Sequence, residues 1–98
     1  MATDQSNSQV VILSGSATIY EASAIRDRLR DALAEGKNLR IDLSETGKWD
    51  LAGLQLLVSG VRTAHRLGLN VRLEGVPRNC REVAERSGLL AWLESVMD

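Results

Sequence analysis

Three observations predict an α/β fold: strand-like and helix-like segments alternate along the chain, the links between them are short, and the helical stretches carry apolar faces at 3.6-residue spacing. Alternation of this kind favours parallel strand pairing, with crossover helices covering the sheet. The 98 residues, 44% hydrophobic and 26% charged, suit one compact domain and leave no room for a second.

Met1 to Ser8 is polar and small and reads as a disordered tail, which places the folded domain over residues 9–98. Gln9 to Leu13 is apolar and β-branched, Ser14-Gly15-Ser16 has turn chemistry, and Ala17 to Tyr20 resumes a short strand, so an N-terminal hairpin is expected. From Ala22 the period changes. Ala22, Ile25, Leu29, Ala32 and Leu33 recur at helical spacing, Arg26, Asp27, Arg30 and Asp31 fill the other face as a solvated surface, and Gly36 supplies a stop. Leu39 to Leu43 is the next strand.

A short polar crossing then leads to Trp49 and Asp50. A second helix starts at Leu51 and runs to about Leu67, with Gly68 behind it. Asn70 to Leu73 forms another strand. Pro77 stands where a first helical residue would, Cys80, Val83, Ala84 and Ser87 mark the inner face of a third helix closed by Gly88, and Leu90 to Val96 forms a short last helix.

The strand-to-helix junction at Asp50 is the most informative place in the chain. Aspartate is a good N-cap, able to accept from the amides of Ala52 or Gly53, and the helix start behind it presents backbone donors and a positive dipole end. Projected at about 100° per residue, Leu54, Leu57, Val58, Val61, Ala64 and His65 form the core stripe. The opposite face carries Ala52, Leu56, Ser59, Gly60 and Thr63, small residues with one large apolar knob and no formal charge. A solvated helix back normally carries Lys and Glu, so this face is suited to contact with a protein.

These residues resemble the STAS domain family, the sulfate-transporter and anti-sigma-factor-antagonist fold. Ile41-Asp42-Leu43-Ser44 is similar to the family's strand ending in Asp-Leu-Ser. Asp50-Leu51-Ala52-Gly53-Leu54 is similar to its Asp-Ser-Ser-Gly-Leu switch, and Leu73-Glu74-Gly75-Val76 with Ser87-Gly88-Leu89 to its closing segments. The resemblance spans nearly the whole chain, and the order and separation of the motifs make it specific. It implies a four- to five-stranded mixed sheet, the hairpin plus parallel βαβ units, with about four helices against it. It also implies a bacterial signalling or transcription-regulation module that acts by binding another protein, without catalysis and without a cofactor.

In anti-sigma-factor antagonists of this type, the serine after the switch aspartate is phosphorylated by the partner kinase, and phosphate there releases the partner. Here that position is Leu51, which has no hydroxyl and cannot turn anionic. Constitutive docking is therefore expected, through Asp50, Leu51, Ala52, Gly53, Leu56 and Ser59. Ser44, Thr46 and Ser59 are the alternative phosphoacceptors, although hydroxyls in a loop or on a helix back need no such role. The partners implied are an anti-sigma-type kinase, a chemotaxis component, or the ATPase of an ATP-binding-cassette lipid transport complex. The chemotaxis-associated STAS proteins look especially close over Asp50 to Leu57. A weak homodimer is compatible with the same reading.

Other functions find less support. Twelve Lys and Arg against thirteen Asp and Glu give a net charge of −1, so no global field favours nucleic acid or an anionic membrane surface. Two Trp and one Tyr are too few for a base-stacking platform. One cysteine and no apolar leader point to a cytoplasmic protein without membrane insertion. No glycine-rich phosphate loop, metal-ligand cluster or nucleophile–base pair supports an enzyme or a small nucleotide-binding protein. Cys80 is expected to be a buried inert thiol, His65 a structural residue near the helix end, and Trp49 a staple beneath the junction.

Overall fold

The computed structural model describes residues 8–97. Residues 1–7 of the expected tail lie outside this range, whereas Ser8 already opens the first strand. In chain order the elements are β1 (Ser8–Ala17), a 3-10 turn (Ile19–Glu21), α1 (Ala22–Ala34), β2 (Asn38–Trp49), α2 (Leu51–Arg66), β3 (Val71–Glu74), α3 (Arg78–Arg86) and α4 (Leu90–Val96). The α/β class and the four helices match the sequence expectation.

Among the described residues the sheet is smaller than expected: three strands, all parallel, in the order β1-β2-β3. The N-terminal hairpin does not form. Ser14-Gly15-Ser16 stays within β1, which follows β2 from Ser8↔Asn38 to Ala17↔Trp49 with register shifts between Ile12 and Ser14 and between Gly15 and Ala17. Gly15, at φ 79°, supplies the bulge conformation that a residue with a Cβ resists. The stretch from Ser44 to Lys48, expected as a crossing, is strand for the same reason. Each segment satisfies its backbone groups on the other, so neither has to turn.

Alternation along the strands sends one set of side chains inward. Val11, Leu13, Leu39, Ile41, Leu43 and Leu73 are buried in a single cluster with the inner faces of the helices. On α2 the buried residues are Gly53, Leu54, Leu57, Val61 and Ala64, while Val58 is half-buried and His65 exposed. The core stripe is therefore rotated towards Gly53 relative to the sequence projection, because the helix leans onto the end of β1.

Cys80 is fully buried on α3, and burial pushes its thiol up to about 11, so it stays protonated at neutral pH. Trp49 is buried beneath the β2–α2 junction, its indole N–H donating to Thr46 Oγ1 at 2.9 Å. Among the described residues no helix is long and apolar enough to cross a membrane.

Candidate functional site

The end of β2 delivers Asp50 in an extended conformation (φ −133°), the geometry an N-cap needs. Its Oδ1 accepts from the Gly53 amide at 3.0 Å, one of the two donors the sequence offered. Its Oδ2 does something the sequence did not announce: it accepts from the Ile19 amide at 3.1 Å, thirty-one residues away. The Asp50 amide in turn donates to the Ala17 carbonyl at 3.3 Å. One side chain thus ties the start of α2 to the turn after β1.

Gly53 completes the joint. A Cβ at this position would lie 2.0 Å from the Ala17 carbonyl oxygen and 2.7 Å from its carbon, so the first turn of α2 rests directly on the backbone of β1. Gly53 is buried and offers no surface; its part in the corner is to permit this approach.

What the corner exposes is apolar. Leu51 is 44% exposed at the first position of α2, and Ile19 and Tyr20, held beside it by the Asp50 bond, are 64% and 89% exposed. Ala17 to Tyr20 reads from its composition as a strand, whereas the structure turns at Ile19–Glu21 and so presents Ile19 and Tyr20. The sequence signal for this turn is Thr18-Ile19-Tyr20-Glu21 ahead of a helical apolar period, which has the spacing of a capping box although the Thr18 side chain caps no helix amide. In the structure Thr18 Oγ1 donates to Glu21 Oε1 at 2.6 Å and the Glu21 amide donates to the Thr18 carbonyl at 3.0 Å.

Further along α2, Leu56 is half-buried and Ser59 exposed. With Gly60, Thr63 and the α1 residues Leu29 and Leu33 they line a shallow groove of about 290 Å³ between the two helices. The absence of a side chain at Gly60 makes room for Leu29, whose Cδ1 would be 3.1 Å from an added Cβ. The small-residue face seen in the sequence is therefore divided: Ala52 stays at the corner, while Leu56, Gly60 and Thr63 turn partly towards α1.

Ser44 and Thr46 are not brought into this corner. Ser44 lies on β2, where its amide and hydroxyl donate to Asp42 Oδ1 at 2.9 and 2.7 Å, and these two bonds hold the Asp42 carboxyl below its ordinary value. Thr46 donates to the Leu43 carbonyl and accepts from Trp49, so its hydroxyl is committed on both sides. His65 sits exposed in the last turn of α2, with Arg62 and Arg66 around it, at the helix end that favours cations. Among the described residues there is no group of three or more His, Cys, Asp and Glu able to hold a metal ion.

Replacing Asp50 with alanine removes the acceptor for both Gly53 and Ile19. A loss of about 1–2 kcal/mol is expected in urea unfolding, with asparagine recovering most of it through the Gly53 bond. Equal stability of the alanine variant would show that the corner is held together by other means.

A family model described as "Mlab, STAS domain" matches residues 1–94. No curated protein matches the chain. Among solved structures, a sulfate transporter family protein from Wolinella succinogenes superposes with a TM-score of 0.72 at 18% identity, covering 93% of this chain and 75% of that one. The SulP transporter STAS domain from Vibrio cholerae superposes with a TM-score of 0.64 at 17% identity, covering 93% of this chain and 72% of that one.

Proposed function

The chain belongs to the STAS domain family, and on that premise we propose that it is a non-catalytic module that docks a protein partner constitutively through the corner at the start of α2. The observation that carries this reading is the exposed apolar cluster of Leu51, Ile19 and Tyr20, fastened across two elements by Asp50. Exposed apolar residues gathered on a rigid turn mark contact surfaces more strongly than scattered ones do. Leucine at position 51 offers a kinase no acceptor, so association is regulated by abundance or competition, not by phosphate at that site.

The partner is a cytosolic protein: the ATPase of an ATP-binding-cassette transport complex, an anti-sigma-type kinase or a chemotaxis component. The two solved structures above bear sulfate and SulP transporter names, which are compatible with a transport role and name no ATPase. An affinity-tagged chain expressed in its native cells, with bound proteins identified by mass spectrometry, separates transport from signalling. An ATP-binding-cassette ATPase identifies a transport subunit; a histidine-kinase-like ATPase or chemotaxis protein identifies signalling. Saturable nucleotide binding by the isolated chain, with no protein captured, would overturn both.

A further inference from the structure

Parallel sheets are ordinarily buried on both faces, since their crossover helices coat them. Among the described residues this one is coated on a single face. Of the side chains that alternate with the buried ones, Arg40 and Arg72 are exposed, Asp42 and Glu74 are half-buried, and two are apolar: Val10 is 57% and Ile12 46% exposed. Register places Val10, Arg40 and Arg72 in one row across the three strands, and Ile12, Asp42 and Glu74 in the next row on the same face. One row is apolar-basic-basic and its neighbour apolar-acidic-acidic, about 6.7 Å apart. Arg40 reaches diagonally to Glu74 at 2.6 Å, and among the described residues Arg72 has no ion-pair partner.

We propose that a second copy of this chain covers the bare face, the two sheets stacking about a two-fold axis that crosses the strands at the level of Val11, Ile41 and Leu73. These three residues are in register midway between the two rows and point inward. Rotation about that axis reverses strand direction but keeps each strand over its own counterpart. Val10 of one protomer then lies over Ile12 of the other, Arg40 over Asp42 and Arg72 over Glu74, and every contact occurs twice, as an isologous interface requires. A two-fold along the strands would instead set Arg40 on Arg40 and Asp42 on Asp42, so the charge pattern selects one arrangement and rejects the other. Aligned stacking of twisted sheets about 10 Å apart is the usual geometry for such faces.

The patch covers roughly 250 Å², below the about 800 Å² per partner of a stable complex. The dimer is therefore weak and in equilibrium with monomer. The helices lie on the other side of the sheet, so dimerisation leaves Leu51 and its corner free.

Sedimentation equilibrium on the chain, carried up to millimolar concentration at low salt, tests this. Mass should rise with concentration towards twice the 10.7 kDa of one chain, and rising salt should lower it. Arg72→Glu and Glu74→Arg each place like charges together twice, and each should weaken self-association by about tenfold or more. Mixing the two variants restores both cross-pairs, so a heterodimer of near wild-type affinity should form, while circular dichroism checks that each variant is folded. Monomer at every concentration would overturn the proposal. So would a dimer that Arg72→Glu leaves unchanged, or two weakened variants that fail to complement one another.

Discussion

Leu51→Glu should weaken capture of the partner by about 30-fold or more while leaving the domain folded and slightly more stable. Leu51 is 44% exposed at the first position of α2, so the substitution opens no core cavity. A carboxylate in the first turn also interacts favourably with the helix dipole, a gain of about 0.3–1 kcal/mol. At the interface the same carboxylate would have to be desolvated where an apolar anchor belongs. Removal of a central anchor of this kind costs about 2 kcal/mol or more, a drop of about 30-fold in affinity. Stability and affinity thus move in opposite directions, which an unfolding defect cannot imitate. Tyr20→Ala, at an 89% exposed position, should weaken capture in the same way without affecting stability. Titration of the captured partner against both variants, with urea unfolding run alongside, measures the two effects. Unchanged affinity for both would place the docking surface elsewhere.

The largest stability effect is expected at Gly53. An alanine Cβ would fall 2.0 Å from the Ala17 carbonyl oxygen, and the obstacle is backbone, which cannot swing aside as a side chain can. Either α2 lifts from β1 or β1 shifts on β2, and the two bonds Asp50 makes across the joint are disturbed with it. Overpacking of this severity should cost about 3 kcal/mol or more, lowering the melting temperature by roughly 12–24 °C in a domain of this size. Gly60→Ala is the internal control. Its Cβ would meet only the Leu29 side chain, nearest at Cδ1, 3.1 Å away, and the higher helix propensity of alanine, about 1 kcal/mol, offsets that contact. If Gly53→Ala proved as stable as Gly60→Ala, the close seat of α2 on β1 would be wrong.

The two glycines differ little as sequence. Both lie in an apolar helix, and nothing in Ala52-Gly53-Leu54 or Ser59-Gly60-Val61 says that one meets a carbonyl and the other a methyl group. Asp50 is a mixed case. Its bond to Gly53 is local and readable from three-residue spacing, whereas its bond to Ile19 exists only because β1 and β2 end together at Ala17↔Trp49. Ile19 and Tyr20 illustrate the same divide: whether they continue a strand or begin a turn depends on where β2 stops.

By itself the sequence determined the α/β class, the four helices, the cap at Asp50 and the inert burial of Cys80. Each depends on periodicity, capping or hydropathy expressed within a few residues. Only the tertiary structure decided that β1 runs on through Gly15 without forming a hairpin, that β2 extends to Trp49, and that the core stripe of α2 turns towards Gly53 and leaves His65 outside. These outcomes depend on which distant backbone lies alongside, and strand partners, helix rotation and close approach are settled by packing across the chain, not along it.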